Sequence, residues 1–223
     1  MKKIRFLEVK FENDIEPWEV PAFRGAVIAT AGKEHVLFHN HDDDKFRYSY
    51  PLIQYKQIHK KPVIISLDQG IEEIHHFFEN MQLGLLLGER PYELKIAGLH
   101  MNQITLQVWD HHWDYRISNW VALNQENYPT YNATEALTDK ISMLENILKA
   151  NILSFAKGIG WVIEKPVEVK IKQLSEPRWV SLKGKKVLGF NAVFSSNVFL
   201  PRNMGLGKSV SVGFGLVYPI KNQ

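Results

Sequence analysis

The sequence predicts an α+β protein built from two tandem βαββαβ units, each a small sheet with helices on one face. Three observations predict this class. Runs with apolar residues at every second position alternate with runs of helical spacing, and the first half follows the order β-α-β-β-α-β. The second half repeats the start of that order with a strand, a long amphipathic helix and further strands. With 223 residues, 45% of them hydrophobic, the chain is long enough to bury a core.

The first half contains the elements of one unit. Its predicted strands are residues 4–11, 52–58, 63–67, 92–97 and 104–110. A first helix opens at Pro21 and ends near Ala31, before Gly32 in the position of a left-handed C-terminal residue. Asp68 is predicted to cap a second helix that runs to about Asn80. The buried face of that helix is expected to hold Ile71, Ile74, His75 and Phe78.

The second half begins with a predicted strand at residues 115–123. Residues 132–135 resemble a capping box. Apolar residues at helical spacing then form a stripe that ends before Gly158 and Gly160. The stripe consists of Leu137, Ile141, Leu144, Leu148, Ile152 and Phe155. Residues 167–172, 187–199 and 210–217 follow as predicted strands, and we place the domain boundary near His112, giving domains 1–112 and 113–223.

Composition excludes several classes of protein. The chain has no cysteine, so disulfides, thiolate metal sites and cysteine nucleophiles are excluded. No run reaches the roughly 18 apolar residues of a membrane span, and the first residues lack the apolar stretch of a signal peptide. We therefore expect a cytoplasmic protein that does not bind membranes.

Charge is distributed unevenly along the chain. Residues 151–223 hold 11 Lys+Arg against 3 Asp+Glu, a balance of +8, whereas residues 1–150 hold 16 against 21, a balance of −5; the sum is the overall +3. A basic C-terminal region predicts a polyanionic partner such as a nucleic acid. A solvated basic face without a ligand is the alternative interpretation.

The most specific motif is a glycine-rich segment, residues 205–215. Two Gly-x-Gly units enclose five residues, and the pattern suits a nucleic-acid backbone, because glycines let N–H groups approach a phosphate. The predicted contact residues are Gly205, Gly207, Lys208, Ser209, Gly213 and Gly215. A nucleotide-binding P-loop is excluded, because Arg202 stands where its first glycine is required. A glycine-bulged edge strand without a ligand is the alternative.

A second candidate site contains His39 and His41, which follow the first predicted helix. Histidine is the side chain best suited to move protons near neutral pH. In RNA the 2′-hydroxyl is itself a nucleophile, so a base, an acid and a group that stabilises the phosphate are sufficient without a metal. Lys33, Tyr48 and Tyr50 are nearby candidates for the stabilising group. The remaining histidines outside residues 111–112 are interpreted as ordinary surface or hydrogen-bonded residues: His35, His59, His75, His76 and His100.

A metal site is the alternative interpretation of the same segment. It would use His39, His41 and the acidic residues 42–44, together with His111, His112 and Asp114. Adjacent acidic residues on a polar loop are more often solvated, so we expect neither a metal nor another cofactor.

The chain resembles the CRISPR-associated endoribonucleases of the RAMP superfamily, which process precursor guide RNA. The resemblance is carried by the glycine-rich segment and by His39-Asn40-His41, which is followed by Tyr-Pro-Leu-Ile-Gln-Tyr-Lys at residues 50–56. The similarity covers nearly the whole chain. The resemblance implies two ferredoxin-like (RRM-like) domains. It also implies metal-independent cleavage within each repeat, which leaves a 5′-hydroxyl and a 2′,3′-cyclic phosphate.

The resemblance also implies roles for individual residues and a partner. His39 or His41 would be the general base or acid, Tyr48 would orient or stabilise the phosphate, and residues 205–215 would hold the RNA. The implied partner is CRISPR repeat RNA, and other subunits of a CRISPR effector complex or a second copy of the chain are further candidates. A non-catalytic RNA-binding subunit is the alternative function, and a metal-dependent hydrolase is a third.

Overall fold

The computed structural model of the chain describes residues 1–39, 49–81, 84–182 and 184–220, and only the backbone of residues 41–42 and 45–46. The helices are α1 (Val20–Ala31), α2 (Val36–His39), α3 (Gln69–Asn80), α4 (Asn127–Ala133) and α5 (Leu137–Gly158). The strands are β1 (Lys2–Phe11), β2 (His41–Asp42), β3 (Lys45–Phe46), β4 (Ile53–Ile58), β5 (Lys61–Leu67), β6 (Gly84–Leu87), β7 (Arg90–Glu93), β8 (Ile96–Leu106), β9 (Val108–Trp120), β10 (Val169–Leu174), β11 (Arg178–Leu182), β12 (Lys185–Val198) and β13 (Leu216–Pro219). In these ranges, every helix is too short or too polar to cross a membrane.

The first sheet has the strand order β4-β5-β1-β8, and every neighbouring pair is antiparallel. The predicted βαββαβ order is confirmed, with α1 and α3 as the two helices and with β6 and β7 as an additional hairpin before β8. Both helices contact the ring of Phe11, whose centroid lies 5.6 Å from that of Phe23 and 6.4 Å from that of Phe77. Burial of these apolar side chains holds the helices on one face of the sheet.

The second sheet has the order β10-β12-β9-β13, and β11 pairs with the first half of β12. When the main strands of each unit are numbered along the chain, both sheets have the order 2-3-1-4, so the fold is the predicted pair of ferredoxin-like domains. Four residues of the predicted stripe on α5 are fully buried, whereas Leu137 at its start is 64% exposed. Residues 199–215, which include the glycine-rich segment, take the place of a second helix.

One apolar core joins the two units. Phe6 and Leu106 of the first sheet belong to the same buried cluster as Tyr115 of the second sheet and Phe155 of α5. The chain passes from the first sheet to the second at Gln107, between β8 and β9, and the predicted boundary residue His112 lies within β9. Because the units share buried apolar surface, they form a single packed structure.

Two predicted helix caps are wrong. Asp68 lies at the predicted N-cap position of α3, but its side chain makes no capping hydrogen bond, and Oδ1 instead accepts one from the backbone N–H of Arg5 at 2.8 Å. At residues 132–135, Thr134 Oγ1 donates to the Thr130 carbonyl at the end of α4, and α5 begins only at Leu137. In both cases the short polar side chain bonds to another backbone group instead of the helix start.

The buried face of α3 and the last predicted strand also differ from the prediction. Ile71 and Ile74 are buried as predicted, whereas His75 is exposed and Phe77, which packs against Phe11, is fully buried in place of the partly buried Phe78. The strand predicted at residues 210–217 is reduced to β13, since residues 209–213 form turns with positive φ at Ser209 and Gly213. The sequence does not predict β11, whose residues are partly or fully exposed and lack a strict alternation.

Candidate nucleic-acid interface

The glycine-rich segment is held against the first unit by two polar side chains. The Tyr50 hydroxyl donates to the Gly205 carbonyl at 2.7 Å, and the Gly205 N–H donates to Gln54 Oε1 at 3.0 Å. The Gln54 amide in turn donates to the Tyr50 hydroxyl at 2.9 Å. Burial raises the pKa of Tyr50 well above its usual range, so this hydroxyl stays protonated and acts as a donor.

Lys56 fixes the same segment further along. Its side chain is fully buried, and Nζ donates to the Val210 carbonyl at 2.7 Å. No carboxylate in the described part of the chain forms an ion pair with this ammonium. Burial therefore lowers the pKa of Lys56 to about 7, because it removes the charged form of the side chain from water. We assign Lys56 a role in positioning the segment, because it is out of reach of solvent.

Gly205 and Gly215 are required by packing. A Cβ at Gly205 would lie 2.5 Å from Val210 Cγ1 and 2.7 Å from Lys56 Nζ. At Gly215, where φ is +65°, a Cβ would lie 1.8 Å from the Leu206 carbonyl oxygen. Both glycines are buried, so the structure indicates a conformational role for them. The other predicted contact residues are exposed or partly exposed: Gly207, Lys208, Ser209 and Gly213.

Tyr55 connects the glycine-rich segment to the histidine segment. Its backbone N–H donates to the Ser211 carbonyl at 3.0 Å, and β4 forms a parallel bridge between Tyr55 and Val212. Its hydroxyl donates to the Phe38 carbonyl at 3.1 Å. Phe38 directly precedes His39, so one residue of β4 anchors both candidate motifs.

His39 is the predicted catalytic residue whose side chain the structure describes. It ends α2, its Nε2 lies 2.8 Å from the Lys33 carbonyl, and its own carbonyl accepts a hydrogen bond from Arg24 Nη2 at 2.6 Å. Because a carbonyl oxygen can only accept, Nε2 carries the hydrogen and Nδ1 is the basic nitrogen of the neutral ring. The backbone of His41 lies in β2; its side chain and all of Tyr48 lie outside the described residues.

Two residues of the second unit that the sequence offered as metal ligands, His112 and Asp114, are paired with other side chains of that unit. His112 Nε2 lies 2.9 Å from Glu168 Oε2, and Asp114 forms an ion pair with Lys172 at 2.6 Å. Within the ranges described, His111, His112 and Asp114 do not join His39 in a group of convergent ligands.

A cleft of about 420 Å³ lies beside the exposed part of the glycine-rich segment. Trp179, 61% exposed, and Tyr128, 37% exposed, contribute aromatic rings to it, while Lys186 and Lys208 contribute charge. The Lys208 N–H is bonded to the Val121 carbonyl at 3.1 Å, which holds the lysine at the cleft. Aromatic rings beside cations are typical of sites that stack bases and bind phosphates of single-stranded nucleic acid.

The sequence prediction misses Trp179 and Tyr128 as site residues. A signal for the first of them is present, since Arg178-Trp179 lies a few residues before the cations at positions 183, 185 and 186. Basic residues interleaved with an exposed aromatic residue are a known signature of nucleic-acid binding. For Tyr128 no local pattern distinguishes it from a core residue.

The fold and this site define a class of tandem ferredoxin-like proteins in which a glycine-rich segment of the second domain packs on the first. Family models match both halves: that of the Cas6b N-terminal domain matches residues 2–105, and that of the Cas6b C-terminal domain matches residues 107–220. The chain belongs to the Cas6b family. The resemblance to CRISPR-associated processing endoribonucleases is thereby confirmed.

Two solved structures of Cas6b proteins are similar to this chain over nearly its whole length. The structure of a Cas6b superimposes with a TM-score of 0.86 at 27% identity, covering 98% of this chain and 100% of the other. That of the CRISPR RNA processing endoribonuclease Cas6b gives a TM-score of 0.77 at 25% identity, with the same coverage. An uncharacterized protein of Methanocaldococcus jannaschii is 36% identical over 105 residues, which are 47% of this chain and 70% of that protein.

Proposed function

We propose that this chain is an endoribonuclease that cuts CRISPR precursor RNA within its repeats and needs no metal ion. The 2′-hydroxyl attacks the adjacent phosphorus, the bond to the 5′-oxygen of the next nucleotide breaks, and the products end in a 2′,3′-cyclic phosphate and a 5′-hydroxyl. Family membership supports the RNA substrate. The observation that carries the proposal is the anchoring of the histidine segment and the glycine-rich segment on the single residue Tyr55.

The proton transfers are assigned to His39 and His41. One of them accepts the proton of the 2′-hydroxyl and the other protonates the leaving 5′-oxygen. The hydrogen bond from Nε2 of His39 to the Lys33 carbonyl favours Nδ1 as the nitrogen that accepts a proton. Tyr48 is proposed to stabilise the negative charge that develops on the phosphate.

RNA binding is assigned to the exposed part of the glycine-rich segment and to the adjacent cleft. Lys208 and Ser209, with the backbone at Gly207 and Gly213, are proposed to contact phosphates. Trp179 and Tyr128 are proposed to stack with bases that are unpaired. Gly205 and Gly215 contribute indirectly, because they allow the segment to pack on Tyr50, Gln54 and Lys56.

The deciding experiment is incubation of the purified protein with its host's repeat RNA in EDTA, followed by analysis of the product ends. We expect one cut per repeat and a 2′,3′-cyclic phosphate. A matched RNA with a single 2′-deoxynucleotide at the cut position should stay intact, because the nucleophile is missing.

Two other outcomes would contradict the proposal. Binding of the RNA without cleavage would identify a non-catalytic RNA-binding subunit. Cleavage that stops in EDTA and returns with a divalent ion would identify a metal-dependent hydrolase.

We infer that the enzyme acts in the cytoplasm, where its precursor RNA is transcribed. A homodimer and association with other subunits of an effector complex stay predictions. Size-exclusion chromatography with and without RNA tests whether the chain forms a dimer.

A further inference from the structure

Three potential metal ligands converge where the segment after α1 meets α3. His35 Nδ1 lies 3.1 Å from Glu73 Oε2, and the rings of His35 and His76 are stacked with centroids 3.7 Å apart. One ligand atom of each of the three residues lies within 4.8 Å of those of the other two. The sequence interpretation of His35 and His76 as ordinary histidines gave no reason to connect them.

Helical spacing and tertiary packing bring these ligands together. Glu73 and His76 are three residues apart on α3, so they share one face of the helix. His35 comes from a part of the chain 38 residues earlier. All three side chains are partly buried, which limits their freedom and leaves the group accessible to an ion.

The surrounding charges favour a cation. Glu34 Oε1 lies 3.9 Å from His35 Nε2, and Glu79 Oε2 lies 3.8 Å from His76 Nδ1. Among the ion pairs of the described residues, Glu73 has a histidine as partner and neither a lysine nor an arginine.

We propose that His35, Glu73 and His76 bind a divalent transition-metal ion of the zinc class. Two imidazole nitrogens and one carboxylate oxygen are a ligand set that zinc accepts, and magnesium, which prefers oxygen, is disfavoured. The Phe38 N–H donates to the His35 carbonyl at 3.1 Å, so an ion bound to His35 would fasten the start of α2 to α3. The proposal rests on ligand geometry and does not depend on the nuclease activity.

Isothermal titration of the EDTA-stripped full chain with zinc chloride tests the proposal. We expect one ion per chain, a raised thermal midpoint in zinc, and affinity for magnesium that is weaker by about tenfold or more. His35→Ala and Glu73→Gln should each weaken zinc binding by about tenfold or more. Glu73→Gln keeps the shape of the side chain and removes only the charge, so it separates loss of a ligand from loss of folding.

The matched control is His75→Ala. His75 lies next to His76 and belongs to a second group of convergent ligands with His76 and Glu79, and it is absent from the proposed group. The His75→Ala variant and the His39→Ala/His41→Ala double variant should bind zinc like the parent. Zinc binding that survives His35→Ala, that is lost in His75→Ala, or that is undetectable in the parent at about 1 mM metal would overturn the proposal.

Discussion

The buried ammonium of Lys56 donates a hydrogen bond to the carbonyl of Val210, a residue 154 positions later in the chain. Tyr50 and Gln54 precede Lys56 on the same stretch: the Tyr50 hydroxyl donates to the Gly205 carbonyl, and Gln54 Oε1 accepts a hydrogen bond from the Gly205 N–H. The glycine-rich segment and residues 50–56, which both contribute to the resemblance to CRISPR-associated endoribonucleases, are therefore the two sides of one contact between the domains. The shape of the glycine-rich segment depends on the first domain as well as on its own glycines.

The buried lysine predicts a specific pH dependence of stability. The pKa of Lys56 is about 7 in the folded chain and near its ordinary 10.5 when unfolded, so between these values the unfolded state binds more protons. The contribution of Lys56 to the free energy of unfolding should therefore rise by about 2 kcal/mol from pH 7 to about pH 9. Urea denaturation at several pH values measures it. The Lys56→Met variant is the control, and an equal rise in that variant would contradict the assignment.

Gly205→Ala should destabilise the chain by about 1–3 kcal/mol, because the new Cβ would meet Val210 Cγ1 at 2.5 Å and Lys56 Nζ at 2.7 Å. The matched control is Gly25→Ala in α1, where nothing lies within 4 Å of the new Cβ. That control should be stabilising by about 1 kcal/mol, since alanine is the better helix former. Urea denaturation of both variants checks the prediction, and a Gly205→Ala variant as stable as the parent would refute the packing role.

Trp179→Ala should weaken binding of repeat RNA by about 1–3 kcal/mol and leave the salt dependence unchanged, because a stacked base is lost and no charge is removed. Trp18→Ala is the matched control, since this tryptophan is 76% exposed and lies outside the cleft. Titration by fluorescence anisotropy at several salt concentrations gives both quantities. Equal affinities of the two variants would remove Trp179 from the interface.

Lys208→Ala should lower RNA affinity and reduce the slope of log affinity against log salt by about 1, since one phosphate contact is lost. Lys95→Ala serves as the control, because Lys95 lies in the first domain and is paired with Glu93 at 2.8 Å. The same anisotropy titrations apply. A slope that does not change in Lys208→Ala would exclude contact between Lys208 and a phosphate.

His39→Ala should reduce the single-turnover cleavage rate by about 10²–10⁴-fold and leave RNA affinity close to that of the parent, because only a proton transfer is removed. His100→Ala, an exposed histidine on β8, is the matched control and should cleave normally. The rate is measured with protein in excess over RNA and with EDTA in the buffer. Full activity in the His39→Ala/His41→Ala double variant would contradict the proposed roles of both histidines in cleavage.

Local patterns predicted most of the fold. The stripe on α5, the hairpin of β4 and β5, and the glycine with positive φ that ends α1, Gly32, all depend on residues a few positions apart. Predictions failed where a local pattern had two possible partners. Asp68 could cap a helix or bond to β1, and His75 could occupy the buried face in place of Phe77; only packing distinguishes these cases.

The amino-acid sequence was sufficient to predict the α+β class, the basic second half, the resemblance to processing endoribonucleases and the candidate residues His39, His41 and Lys208. These features depend on composition and on the spacing of residues that are close in the sequence, and both can be determined without knowing the fold. Three contacts became visible only in the folded chain: Gly205 packs on Lys56, Trp179 borders Lys208, and His35 meets Glu73 and His76. Such contacts join residues far apart in the chain and arise when helices and sheets pack, and no short pattern encodes which faces will meet.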